Sequence, residues 1–387
     1  MGHSYNYHLA VKNALDLDCI EYKVLIPKKN PIADKNAMWV EELGTSATLI
    51  SKFNSKAVRF FYYVYDSIIV SLAWLRFYKK HSGTRQTIVF FETGGNFLDE
   101  ALISLFLRFL SFKKPAAVWY LVRSLPTSRK FQYILRFSIL FAQLLAGKDR
   151  LFILTDTLPL KEVLALFLRR QVACVAIPHG LNASFGSKDI IKRATQDTMI
   201  RIWGVSCLGL NKGEDYLIRI LQNMDSERTA QVLVRNAFIK KNELYKNSAI
   251  LPIDDELSEI DFIGKLQSCN IAMLPYFGGN NQQYHLSSSG IFVDCIAAGV
   301  LPIVSPGTWM ETELKRFYLE ELIVDWDQYN NLDDLVTLIR KLLSSENIIK
   351  KLNQMRADYC NFHSPTGFLN SLYMCGCLNK DAVECVE

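Results

Sequence analysis

Two α/β domains built on doubly wound parallel sheets are predicted by three features of this sequence. Its 387 residues exceed what one ordinary domain holds. Half of them are apolar, enough for two packed cores. Short apolar runs alternate with helical patterns along most of the chain, and this alternation winds helices onto both faces of a parallel sheet.

In chain order, Gly2 to Leu15 reads as a loop feeding a helix, with no strand before it. Tyr22–Ile26 is the first expected strand, ended by Pro27. A basic, aromatic helix follows near 56–80, then a strand at Thr87–Phe91 and the turn Glu92-Thr-Gly-Gly95. Helices near 97–112, 129–146 and 159–169 alternate with strands at Ala117–Val122, Arg150–Leu154 and Val172–Ile177. Residues 182–198 read as a polar linker. A second series brings strands at Ile202–Ser206, Gln231–Arg235, 250–252, Ile271–Tyr276, Leu301–Val304 and 322–325. Its helices fall at 214–223, 257–267, 291–298, 331–343 and 345–358, with a last one at 368–374. The expected organisation is a first domain over 1–185, a second over 186–360, and a helix and tail over 361–387.

Ligands of such sheets gather at the C-terminal ends of strands. Glu92, Gly94, Asp156 and His179 fall there, each readable either as a site residue or as an ordinary turn residue. The most pointed stretch is Tyr284 to Thr308, where Ser287, Ser288 and Ser289 run into Gly290 and a helical pattern ends at Gly299. A helix start leaves N–H groups without intrahelical partners at the positive end of the dipole, a natural seat for phosphate. A capped helix in a parallel sheet is the competing reading. Asp294 lies one turn further on, and His285 stands just before the serines.

The net charge of +5 is unevenly spread. From Ala101 to Lys148 there are eight Lys and Arg and no acid, and from Lys52 to Arg85 seven against Asp66 alone. Interleaved with aromatics, these stretches suit an anionic membrane surface, with solvated helices as the alternative. No nucleic-acid module is recognisable. The apolar run Phe60–Leu75 is too short for a span and carries Asp66 at its middle. Nine scattered cysteines, an odd number without CxxC spacing, read as reduced thiols of the cytoplasm, and no signal peptide is visible. Metal clusters, a Walker loop, a GxGxxG fingerprint and a Ser-His-Asp order are absent from the sequence.

Cys269-Asn-Ile-Ala-Met-Leu-Pro-Tyr276, then Ser289-Gly-Ile-Phe-Val-Asp-Cys-Ile-Ala-Ala-Gly-Val-Leu-Pro-Ile-Val304 and Pro306-Gly-Thr-Trp309, resembles the nucleotide-sugar half of retaining GT-B glycosyltransferases. Gly2-His-Ser-Tyr and Pro178-His179 are similar to features of that family's other half. The resemblance implies two Rossmann-like domains facing across a cleft. It also implies a nucleotide-sugar donor, a saccharide or lipid-linked acceptor, and no metal or other cofactor. Surface glycan synthesis at the inner membrane face is the setting it suggests.

The family's pattern assigns the donor to Lys212, Tyr276, Ser288, Ser289, Gly290, Ile291 and Asp294, with Lys212 on the diphosphate and Asp294 on the ribose. His3, Glu92 and His179 become candidate catalytic residues; a histidine can serve as base on an acceptor hydroxyl, as could His8, or can be a plain turn residue. Three departures stand out. Leu286 occupies the place of a usual acid, and Val205 follows Gly204 where an arginine is frequent, leaving Arg235 as the nearest replacement. The strand that normally precedes Gly-His-Ser-Tyr is not found ahead of it: either the true start lies upstream, or the strand is lacking and a sheet edge is left bare. A catalytically inactive GT-B module and a nucleotide-sugar epimerase are the other expectations these residues permit.

Overall fold

A computed structural model describes residues 3–27, 40–43, 56–82, 87–93, 97–111, 113–126, 128–178, 199–222, 230–244, 248–277, 283–329 and 331–378. The chain forms two units, one of residues 1–180 with 363–387 and one of residues 181–362.

The first unit opens on α1 (His3–Asp16), then β1 (Val24–Pro27) and β2 (Val40–Leu43), α2 (Lys56–His81), β3 (Ile88–Thr93), α3 (Phe97–Leu110), β4 (Ala117–Val122), α4 (Arg129–Ala146), β5 (Leu151–Thr155), α5 (Leu158–Leu168) and β6 (Ala173–Cys174). Strands β3-β4-β5-β6 pair in that order, all parallel, while β1 and β2 make a separate parallel pair. The expected first strand therefore stays outside the main sheet, where β3 is an edge among the described residues.

Strands that follow one another in sequence and in space, joined by right-handed crossovers, place α3, α4 and α5 on one face of the sheet. Tyr120 shows it directly: its hydroxyl meets Glu100 of α3 and Ser138 of α4. Its neighbours Ala117, Trp119 and Leu121 point to the other face, against Val11, Ala14 and Leu15 of α1. That apolar spacing along one stripe holds α1 helical from His3 onward, where the sequence predicts a loop at the start. Strand β6 is also shorter than the expected 172–177: Val175 keeps one bond to Thr155 and the rest runs on buried without a ladder.

The second unit contains β7 (Ile200–Trp203), α6 (Glu214–Gln222), β8 (Ala230–Arg235), α7 (Asn236–Lys241), β9 (Ile250–Ile253), α8 (Glu259–Gln267), β10 (Ile271–Leu274), α9 (Gln283–Leu286), α10 (Gly290–Ala298), β11 (Leu301–Val304), α11 (Trp309–Arg316), α12 (Leu332–Ser344) and α13 (Glu346–Phe362). Its five parallel strands lie in the order β11-β10-β7-β8-β9. Both faces are covered: Ile202, Val232, Met273 and Ile303 pack in one core, while their neighbours Trp203, Leu233 and Ala272 pack in a second with Leu266 of α8. Burial on both sides explains the unbroken apolar runs of the sequence. The strand expected at 322–325 is only a bridge from Ile323 to Val304. Asp325 ends it by capping the next turn through the Asp327 N–H.

The last helix, α14 (Pro365–Met374), belongs to the first unit. Phe368, Leu369 and Leu372 join α1 on the face of Trp119 and Leu121, and Tyr373 donates to Asp18. Ser371 accepts from the Ala176 N–H at 3.2 Å, and His363 Nδ1 lies 2.8 Å from the Ile177 carbonyl.

Candidate functional site

In the second unit the strand order reverses between β7 and β10, and open α/β sheets bind ligands at the C-terminal ends of such strands. Two segments leave from there. After β7 the chain makes tight turns at Val205–Cys207 and Leu210–Lys212 before Gly213 and α6. After β10 come Pro275, Tyr276 and Phe277 and, beyond 278–282, α9, the serines and α10.

The two segments lock together. The Phe277 N–H donates to the Asn211 carbonyl at 3.2 Å, and the Cys207 thiol to the Met273 carbonyl at 3.4 Å. Gly213 sits at φ +78°, where a Cβ would stand 2.4 Å from Pro275 Cγ and 2.6 Å from its carbonyl oxygen. Only glycine fits this close crossing. Upstream, the Gly209 N–H donates to Glu214 at 2.8 Å, and Lys241 neutralises the same carboxylate at 2.5 Å.

This framework fixes Lys212. Its ammonium lies 5.6 Å from the ring centroid of Tyr276, and no carboxylate among the described residues pairs with it. Burial lowers its pKa, the neighbouring Cys207 opposes that shift, and the charge of Arg235 adds to it. A half-buried cation beside a second cation is an attractive place for an anion. Arg235 itself leaves the end of β8 and donates to the Asp255 carbonyl at 2.8 Å; its buried Nε meets no acceptor among the described residues.

Tyr276 is buried, its ring 4.8 Å from that of Tyr284 and its hydroxyl close to Ser289. Ser289 precedes α10 in extended conformation without capping it through its side chain, and its Oγ is buried with no hydrogen-bond partner among the described residues. Its carbonyl accepts from the N–H groups of Phe292 and Val293. The Gly290 and Ile291 N–H groups come before the first intrahelical donor and meet no acceptor among the described residues. Ser288 is half-buried. Asp294 follows one turn into the helix at 4% exposure. Thus Lys212, Tyr276 and the residues 288–291 surround one strand-end region, and Asp294 lies behind them on the same helix. His285 is committed elsewhere, its Nδ1 3.2 Å from the Gly307 carbonyl.

Of the first-unit candidates, His3 lies in the first turn of α1 and Glu92 in β3, opposite Leu121; only their backbones are among the described parts of the chain. His179, Gly94 and Gly95 lie outside the described residues. The strand ends of this unit do hold an ion pair, Arg123 to Asp156 at 3.2 Å. His8 lies near it, 2.9 Å from the Tyr22 hydroxyl, and burial, aided by Arg123, depresses its pKa to about 4. It is neutral at physiological pH. Nothing local in the sequence marks Arg123, because its partner is brought in by the next strand. Among the described residues no group of three His, Cys, Asp or Glu could hold a metal ion.

The sequence matches no protein-family model and no curated protein. Its fold is similar to that of solved glycosyltransferases. SnogD from Streptomyces nogalater aligns with a TM-score of 0.55 at 13% identity, over 98% of this chain and 97% of that one. The spinosyn forosaminyltransferase SpnP gives 0.55 at 13%, over 97% and 96%. Sucrose-phosphate synthase from Thermosynechococcus elongatus gives 0.57 at 11%, over 94% and 91%. Such identities speak for the fold: two parallel-sheet α/β units, the GT-B architecture.

Proposed function

We propose that this protein is a glycosyltransferase whose second unit binds a nucleoside-diphosphate sugar and whose product is an elongated saccharide or lipid-linked glycan. One observation carries the reading. A half-buried Lys212 and the N–H groups of Gly290 and Ile291, all without a partner among the described residues, stand at the switch point of a GT-B sheet. A departing nucleoside diphosphate gathers negative charge, and a fixed cation with oriented N–H donors stabilises that charge without reorganising.

In this reading Lys212 neutralises the diphosphate, with Arg235 adding positive potential. Ser288, Ser289, Gly290 and Ile291 form the anion turn, Tyr276 walls it, and Asp294 takes the ribose. His3, Glu92 and His179 are proposed to handle the acceptor hydroxyl, and transfer proceeds with retention and without a metal.

Calorimetric titration with UDP and GDP tests the donor site. Lys212→Ala should lower affinity about tenfold to a hundredfold, the worth of a hydrogen bond to a charged group. Gly290→Val should do likewise by blocking the backbone approach. Unchanged affinity in both folded variants would remove the assignment. Product analysis with donor and acceptor together, against donor alone, separates transfer from epimerisation and from binding without turnover.

A further inference from the structure

The outer surface of the first unit's helical layer has a composition that sugar transfer does not call for. Along α4, Tyr133, Phe137, Leu140 and Leu144 are exposed at spacings of four, three and four, a single stripe on one side of the helix. Phe137 is 57% exposed and Tyr133 60%. On α2, Tyr65, Ile68 and Leu72 repeat the same spacing. Helix α3 packs against both and ends in the exposed Phe109 and Leu110. Soluble chains rarely leave several such stripes uncovered on one layer.

Charge accompanies this apolar surface. Each helix of the layer ends in cations: Arg76 and Lys79 after α2's stripe, Arg108 with Lys113 and Lys114 at α3, Lys148 and Arg150 after α4, and Arg169 and Arg170 after α5. Crossovers of one hand point α3, α4 and α5 the same way, so their ends gather at one edge of the sheet. Lys113 donates to the Ser82 carbonyl at 2.9 Å and so brings the end of α2 to the same edge. Exposed acids on this layer are confined to Asp149 and Glu162 among the described residues, with Asp66 half-buried. A groove of about 490 Å³ opens between α4 and the end of α5, walled by Leu140 and Phe167 and edged by Arg136, Arg169 and Arg170. Arg136 lies 4.2 Å from the centroid of the Phe167 ring, a guanidinium held at an apolar surface.

We infer that the outer face of α2, α3 and α4, with the arginine-edged groove beside α5, docks on an anionic lipid bilayer. The exposed aromatics and leucines enter the interfacial region and the cationic helix ends meet lipid phosphates. A second copy of the chain fits poorly, because a twofold interface would lay this positive surface on itself. Among the described residues no helix is long and apolar enough to cross the membrane.

Sedimentation of the full chain with phosphatidylcholine vesicles, with and without phosphatidylglycerol, tests this without any sugar nucleotide, so its outcome is independent of donor binding. Binding is expected only to the anionic vesicles and should weaken as salt rises. Lys114→Gln with Lys148→Gln should lose affinity roughly fivefold per side chain removed. Tyr133→Ser, Phe137→Ser and Leu144→Ser together should abolish binding while circular dichroism and melting temperature stay as in the parent. Absence of binding at low salt, or equal binding by both folded variants, would overturn the inference. So would a dimer in solution that the serine variant dissociates, since the face would then belong to a second copy.

Discussion

Gly213 shows how little room the proposed donor site leaves. At its φ of +78° a Cβ would come within 2.4 Å of Pro275, so Gly213→Ala should cost about 1–3 kcal/mol, the usual range for such backbone strain. Urea denaturation should show the loss, and UDP affinity should fall with it. The Asn-Lys-Gly turn is legible in the sequence, whereas Lys212 is singled out by the family resemblance and by no local signal. The reason for the glycine is not, because Pro275 reaches it from a distant strand. A different residue answers to pH. Burial, helped by Asp99 and opposed by the Tyr120 hydrogen bond, raises the Glu100 carboxyl to about 8. The folded state thus holds a proton that the unfolded chain releases near 4.5. That contribution to stability is complete below the unfolded value and is lost as pH rises through about 8. Glu100→Gln should flatten the fall of melting temperature across this window; an unchanged slope would mean the carboxyl is ionised. Near the chain's end, Cys375 is drawn down to about 7 by its contact with Cys377, at 3.2 Å. Alkylation followed by mass spectrometry should modify Cys375 well before Cys377 at neutral pH, because the thiolate is the reacting form.

At the scale of elements, periodicity works where one face or both faces of a segment are committed to a core. Helix α10 and strand β11 stand as expected because Phe292, Cys295 and Ile296, then Leu301 to Val304, are buried throughout. It fails where length is short or pairing is remote. Strand β2, with Val40-Glu-Glu-Leu43, carries no alternation of its own and exists through its register with β1. Helix α7 is six residues and α11 eight, each set by a cap or a neighbour rather than by a stripe. The destination of α14 is equally hidden: its apolar residues declare a buried helix, and nothing local says which sheet they cover. Its packing has a measurable consequence. Ending the chain after Phe362 uncovers Trp119, Leu121 and Leu154, and calorimetry should then show the first unit's transition lost or sharply lowered while the second unit's persists. A single transition unaffected by the truncation would show that α14 contributes little.

For the whole molecule, two units with separate cores should melt as two transitions. A ligand that binds one folded unit stabilises that unit alone, so UDP should raise the second unit's transition and leave the first's in place. A shift confined to the first would relocate the donor. The doubly wound class and the serine-glycine turn are readable from the sequence, because β-α alternation and such a helix start are local. The edge position of β3 and the Arg123–Asp156 pair are not, since each depends on which strands become neighbours.

The return of α14 also sets a schedule. On the ribosome the strands β3 to β6 are made early, yet the helix that covers Trp119 and Leu121 is made only after the entire second unit. At the usual pace of synthesis that interval is roughly ten to forty seconds. Throughout it, the nascent first unit presents to chaperones an apolar sheet face that α1 covers only in part, while the second unit can finish folding as an uninterrupted stretch.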